Sequence, residues 1–127
     1  MRAPALLIVD DDKDLLTVLK SRFEAKGYRV LTARDGDAAL DLFRDRRPEV
    51  VLMDVRMPRL DGVAILREMT EVDPDANIVI MSGAVSPSQA KLVLDSGARE
   101  FIPKPLDLEA LDAAVELLSL GSSRLRQ

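Results

Sequence analysis

Two residue patterns exchange places along this chain with a regularity that leaves few architectures open. Short apolar, β-rich runs occupy Ala5–Val9, Tyr28–Ala33, Val50–Met53, Asn77–Met81 and Glu100–Ile102, and most of the stretches between them repeat apolar residues at helical spacing. Leu15, Leu16, Leu19 and Phe23 form one such stripe, which Gly27 stops in the manner of a residue just past a helix end. Asp35 or Gly36 opens a second, carrying Ala39, Leu42 and Phe43 and closing before Pro48. Val63, Leu66 and Met69 mark a third, Leu92 and Val93 a fourth, and Leu108, Leu111, Val115 and Leu118 a fifth. Strand and helix repeating in this way predict a parallel sheet covered on both faces. Leu6–Val9 and Val50–Met53 show no polar alternation, as strands buried on both sides require, whereas the short last run, beside Arg99 and Glu100, suits an edge.

At 127 residues the chain is long enough for one domain with a real core and too short for two ordinary ones. Residues 1–120 read as that domain, and 121–127 as a polar tail that is either a natural terminus or the start of a linker. Hydrophobic residues at 47% and charged residues at 31% fit a soluble globular protein rather than a disordered one. Eighteen basic against twenty-two acidic side chains leave a net charge of −4, so direct nucleic acid binding by this domain is not expected. The absence of cysteine and histidine removes disulfide and thiolate chemistry, the usual general base and the usual zinc ligand. Ala3 to Val9 is too short for a membrane span and runs into three aspartates, so no membrane association is expected and a cytoplasmic location follows by default.

What chemistry remains falls to carboxylates, hydroxyls, lysine and arginine, and the strand ends hold them. In open α/β sheets functional groups gather beyond the carboxyl ends of the strands. The first run ends in Asp10, Asp11 and Asp12, the third in Asp54, the fourth in Ser82 and Gly83, and the fifth in Pro103, Lys104 and Pro105; the second ends only in Ala33 and Arg34. If the first, third, fourth and fifth strands are neighbours, carboxylates, a hydroxyl and an ammonium converge on one small site. Crowded carboxylates ask for a divalent cation, and an all-oxygen donor set favours Mg2+, with Mn2+ as a substitute. Lysine, hydroxyl and the backbone N–H groups around Ser82–Ala84 would complete a pocket for a phosphoryl group, and aspartate can itself be the nucleophile.

Plainer roles compete for several of these residues. An aspartate just after a strand is commonly a turn former or helix cap, which suits Asp12, Asp14, Asp35 and Asp61. Asp54, at the end of a fully apolar run, resists that reading. Ser82 alone would be an ordinary turn hydroxyl and gains weight only by sharing the strand-end plane with the aspartates. Lys104 stands between two prolines, which restrict the backbone and so direct the side chain.

From about Ala5 to Leu118 the chain resembles the receiver domains of two-component response regulators. The marks are Leu7-Ile8-Val9-Asp10-Asp11-Asp12, then Leu52-Met53-Asp54-Val55-Arg56-Met57-Pro58 followed by Asp61-Gly62, Met81-Ser82-Gly83, Gly97-Ala98, and Phe101-Ile102-Pro103-Lys104-Pro105. Each is weak alone; their order and spacing together are specific. The resemblance implies a flavodoxin-like (βα)5 doubly wound parallel five-stranded sheet in the order 2-1-3-4-5. It implies that Asp54 accepts a phosphoryl group from the phosphohistidine of a sensor histidine kinase or phosphotransfer protein, or from a small phosphodonor. Asp11 directly, and Asp10 largely through water, would hold Mg2+, with Asp54 and the backbone carbonyl of Arg56 as further ligands. Lys104, Ser82 and Gly83 would bind the phosphoryl, and Ser82 with Phe101 would form the switch. The output would be a change in the face made by the fourth helix, fifth strand and fifth helix, through which family members bind targets or form homodimers. Such a chain catalyses its own aspartyl phosphorylation and dephosphorylation without being a conventional enzyme.

Arg56 and Ala84 lie where the family varies and where side chains tune phosphate lifetime, and Gly83 stands where alanine is common, opening the pocket mouth. Three other readings are weighed against this one. A module cut from a longer DNA-binding, ATPase or hybrid kinase protein would keep the same chemistry. A Mg2+-dependent phosphohydrolase or nucleotide-binding enzyme is weakened by the missing Gly-rich phosphate loop and by Arg56 standing where a second aspartate would be needed. A receiver serving only as a binding scaffold is hard to sustain with acidic pair, acceptor, hydroxyl and lysine all present.

Overall fold

A run such as Leu6-Leu7-Ile8-Val9 sends successive side chains to opposite sides of a sheet, so it is buried throughout only where both sides are covered. The computed structural model, which describes residues 3–56, 61–83 and 86–121, supplies that cover. Its elements are β1 (Ala5–Val9), α1 (Lys13–Ala25), β2 (Arg29–Ala33), α2 (Gly36–Arg46), β3 (Val50–Asp54), α3 (Gly62–Val72), β4 (Ile78–Ser82), α4 (Pro87–Asp95), β5 (Glu100–Pro103) and α5 (Leu108–Leu120). All strand pairs are parallel, in the order β2-β1-β3-β4-β5. The expected strand order is therefore present, with β5 at an edge.

Residue parity divides the core in two. Leu6, Ile8, Val50, Leu52, Val79 and Met81 face α1 and α5, where Leu19, Phe23, Leu111 and Val115 meet them. Leu7, Val9, Val51, Met53, Ile78 and Ile80 face the other layer, packing on Phe43 of α2, Leu66 and Met69 of α3, and Val93 of α4. Burying each such side chain contributes roughly 2 kcal/mol. By that measure α4 is the least anchored helix, since Val93 is its one buried residue.

Leu92, paired with Val93 in the sequence reading of that helix, is 45% exposed, as α4 is too short to turn a second row of side chains inward. Strand limits also shift. Tyr28 belongs to the turn because its N–H donates to Phe23 O, and Asn77 precedes β4, where its carbonyl accepts from Val51 N and its amide donates to Glu49 O and Leu118 O. Asp54, Ser82 and Pro103, beyond the expected strand ends, are in the ladder.

The short polar residues before the helices act as caps. Asp12, Asp35, Asp61 and Asp107 each accept backbone N–H bonds at the starts of α1, α2, α3 and α5, and Ser86 with Gln89 makes a capping box on α4. At the other end of α1, Gly27 takes φ +96°, which ends the helix as read from the sequence. No described helix is long and apolar enough to cross a membrane.

Across the outer side of the first layer, Asp112 of α5 takes both Arg22 Nε (2.9 Å) and Arg22 Nη2 (2.6 Å) from α1, with Lys26 Nζ at 3.4 Å. The Arg22 hydrogen bond, chiefly, holds the Asp112 carboxyl below its ordinary value. A depressed carboxyl stabilises the fold above the ordinary carboxylate range and ceases to do so as pH falls through its folded value. Asp112→Asn should therefore lower the melting temperature at neutral pH, and the gap should close on acidification. Paired thermal melts across that range check it; a gap independent of pH would assign the effect to packing.

Candidate functional site

The order β2-β1-β3-β4-β5 puts the chain's reversal between β1 and β3, and in open α/β sheets the carboxyl ends of the strands at such a point are where ligands bind. Asp10 follows β1, Asp54 ends β3, Ser82 ends β4 and Lys104 follows β5, so four different elements each deliver one group. Lys104 is held by its backbone N–H, which donates to Ser82 O at 2.8 Å. The peptide bond from Lys104 to Pro105 is cis.

Lys104 Nζ lies 2.7 Å from Asp10 Oδ2 and 2.9 Å from Asp54 Oδ2. The other oxygen of Asp54 accepts from Arg56 N at 2.8 Å and Ser82 Oγ at 3.2 Å. Asp10 Oδ1 accepts from Asp12 N at 3.0 Å, which turns the loop after β1 over the site. Asp10, Asp54 and Ser82 are buried, whereas Asp11 is exposed. One carboxylate oxygen from each of Asp10, Asp11 and Asp54 lies within 4.8 Å of the others.

Burial is the largest influence on Asp10 and raises its carboxyl above the ordinary value, outweighing the help of Lys104. For Lys104 burial works downward, but the hydrogen bonds to Asp10 and Asp54 with their charges outweigh it and the ammonium titrates higher than usual. A raised carboxyl stabilises a fold only at low pH, and that contribution is lost as pH climbs through the folded value. Ionised Asp10 is thus a stability cost at neutral pH in metal-free buffer. Asp10→Asn should melt at a higher temperature than the parent in a chelator while losing divalent cation affinity. Calorimetry with and without metal checks both halves, and a lower melting temperature in chelator would overturn the first.

The donor set is entirely oxygen, partly buried and crowded enough for like charges to repel, a combination that suits a hard divalent cation. Among the described residues this is the one such group of carboxylates. Asp12 is not part of it, because its carboxylate accepts from Asp14 N and Leu15 N as the cap of α1. Asp35 and Asp61 are caps as well, and Asp14 lies in the first turn of α1. Gly83 lies at the mouth with open space where a Cβ would be. Phe101 is half-buried on β5, opposite Ile80 and against the α2–α4 layer. Ala84, Met57, Pro58 and the tail 122–127 lie outside the described residues.

Arg34 is the residue the sequence reading passes over. Its Nη2 reaches Asp11 O at 3.4 Å, because β2 is the parallel neighbour of β1 and ends beside the same loop. The available signal is its position at a strand end adjacent to the acidic run.

The profile of the response regulator receiver domain matches residues 6–116. Response regulator MprA of Mycobacterium sp. strain KMS is 39% identical over 113 residues, covering 89% of this chain and 49% of the relative. The chain spans about half the length of the curated relatives it matches. A response regulator receiver domain protein from Clostridium thermocellum superposes with a TM-score of 0.89 at 29% identity, covering 98% of this chain and 99% of that one. NtrX from Brucella abortus gives a TM-score of 0.87 at 32% identity over 98% of this chain and 28% of that one. With the profile spanning all but the ends, and the sheet order and strand-end carboxylates agreeing with it, this chain belongs to the response regulator receiver domain family.

Proposed function

We propose that this domain is a phosphorylation-dependent signalling switch that accepts a phosphoryl group on Asp54 from the phosphohistidine of a sensor histidine kinase or phosphotransfer protein. The observation that carries the reading is the convergence of Lys104, Ser82 and Arg56 N–H on one buried strand-end carboxylate. In the transfer an Asp54 oxygen forms a bond to phosphorus while the bond from phosphorus to the donor nitrogen breaks, giving an acyl phosphate. Lys104 supplies a cation beside the phosphoryl oxygens, and Ser82 a hydroxyl donor.

Mg2+, for which Mn2+ substitutes, would be held by Asp11, Asp10, Asp54 and the carbonyl of Arg56; when bound it neutralises the charge gathered at the transferring group. Gly83 joins Ser82 and Lys104 in binding the phosphoryl in this reading, and Arg56 with Ala84 tunes phosphate lifetime. The new group brings about −1.5 to −2 of charge and three acceptors, which draw Ser82 and Lys104 toward it. Loss of the Ser82 bond to Asp54 frees the end of β4, and Phe101, half-buried beside Ile80, is the side chain placed to respond. The readout is the α4-β5-α5 face, offered to a target or a second copy. Residues 1–120 form the working unit, set in the cytoplasm with its phosphodonor. That it works as one module of a longer regulator is favoured by the curated relatives, which extend well beyond the matched region.

Intact-mass measurement after acetyl phosphate and Mg2+ tests the reading. One added phosphoryl group is expected, absent in chelator; no gain in mass together with no beryllofluoride binding would sink it and leave a binding scaffold.

A further inference from the structure

We propose that Gly62 is a positioning residue for the acceptor carboxylate, holding the Val55–Arg56 peptide so that Arg56 N–H stays on Asp54 Oδ1. The inference rests on the proposed reading of Asp54 as acceptor. Gly62 opens α3 and is buried, and it meets the chain directly after β3 at a distance only glycine permits. A Cβ at position 62 would lie 2.4 Å from Val55 Cα, 2.6 Å from Val55 Cβ and 2.6 Å from Val55 O. These neighbours are backbone atoms and the first side-chain carbon, not the far end of a flexible side chain, so the clash is relieved only by moving the backbone.

The consequence reaches the site through one peptide plane. Val55 O and Arg56 N belong to the same peptide unit, which is planar and turns as a whole. Its carbonyl side rests on Gly62, and its N–H side donates to Asp54 Oδ1 at 2.8 Å. The Asp54 carboxylate can rotate about its own bond, and this charge-assisted contact with Ser82 and Lys104 sets the orientation of its two oxygens. Displacing Val55 by the ångström or so that a methyl group demands therefore turns the N–H off the carboxylate. A nucleophile misplaced on that scale loses about 10²-fold in rate. The anchor on the α3 side is Asp61, whose carboxylate accepts from Ala64 N at 3.1 Å and fixes the first turn that carries Gly62.

Gly97, at the opposite end of the sheet, provides a control for lost stability, meeting only the Thr70 side chain near the far end of α3. It has φ +120°, and a Cβ there would lie 2.5 Å from Thr70 Cγ2. Gly97→Ala disturbs folding without touching the acceptor loop.

The test compares the parent, Gly62→Ala and Gly97→Ala at a temperature where circular dichroism shows each folded. It measures the phosphorylation rate with acetyl phosphate and Mg2+, and the Arg56 amide proton by its NMR shift and exchange protection. Gly62→Ala is expected to slow phosphorylation by about 10- to 100-fold. Its Arg56 amide should move upfield and lose protection, while Gly97→Ala keeps the parental rate and amide despite lost stability. An unchanged Arg56 amide and rate in Gly62→Ala, or an equal loss of rate in Gly97→Ala, overturns the proposal. If Gly62→Ala does not fold, Asp61→Ala takes its place: weaker Arg56 protection supports the brace, and unchanged protection overturns it. Should the parent itself take no phosphoryl group, the acceptor reading falls, and the Arg56 amide still decides whether Gly62 holds the peptide.

Discussion

On the proposed reading, Asp54→Asn should take no phosphoryl group from acetyl phosphate in the presence of Mg2+, the rate falling at least about 10⁴-fold as the nucleophile is removed. The amide nitrogen is not nucleophilic, and the amide carries no charge to share with a cation. Besides the nucleophile, the substitution alters one contact, since an amide NH2 then faces the Lys104 ammonium where Asp54 Oδ2 accepted at 2.9 Å. An asparagine keeps an oxygen for Arg56 N and Ser82 Oγ, and Lys104 retains its 2.7 Å pairing with Asp10. The variant should therefore melt cooperatively, which separates lost chemistry from lost structure. Intact mass followed by peptide mapping checks it. Phosphoryl found in the variant would move the acceptor elsewhere, and Asp11, exposed and within the same carboxylate group, is the first place to look.

Lys104→Gln has effects of opposite sign on cation binding and on catalysis. In the metal-free domain the ammonium bridges Asp10 and Asp54, so a divalent cation entering among Asp10, Asp11 and Asp54 competes with it for the charge of the same carboxylates. Because those carboxylates raise the titration of Lys104, the pairing is complete at neutral pH and is lost only as pH climbs through its elevated value. Removing the charge should tighten divalent cation binding by roughly tenfold, about 1.4 kcal/mol. Without metal the fold should lose about 1–3 kcal/mol, because buried carboxylate oxygens lose their donor. Phosphorylation should slow by about 10²- to 10³-fold, the scale of losing one charge-stabilising donor. Titration calorimetry, metal-free melts and mass-detected kinetics read the three quantities. Weaker cation binding would show that the ammonium shapes the site rather than competing for it.

Much of this molecule is legible in its sequence because burial on two faces leaves a plain trace. Unbroken apolar runs such as Val50–Met53 suit few environments besides a strand covered on both sides, and the change from apolar residues to aspartate at Asp10 and Asp54 marks where the sheet ends. The caps are legible for a local reason, since Asp12, Asp35 and Asp61 bond backbone two or three residues away. What escapes is set by contacts between distant segments. Nothing in the chain tells that Gly62 rests on Val55 backbone or that Asp112 draws Arg22 of α1 and Lys26 just after it, and for Arg34 only its strand-end position hints that it reaches the loop after β1. The boundaries at Tyr28 and Asn77 shift for a similar reason, because whether a polar end residue joins the ladder depends on what its neighbour offers. Leu92 shows the limit of periodicity in a nine-residue helix, where a single inward side chain satisfies the pattern.

The two layers differ in a way that assigns them mechanical parts. On one side, two thirteen-residue helices sink several large side chains into the sheet and are clasped at Asp112 by two cations. On the other, α4 is pegged by Val93 alone, with Leu92 and Leu94 in solvent. On the proposed reading, free energy released at the carboxyl ends of β3 and β4 is spent where resistance is least, so α1 serves as the frame, α5 as the fixed side of the output face and α4 as the lever arm. An engineered second peg, a larger apolar residue turned inward from α4, would stiffen that arm and convert a switch into a latch.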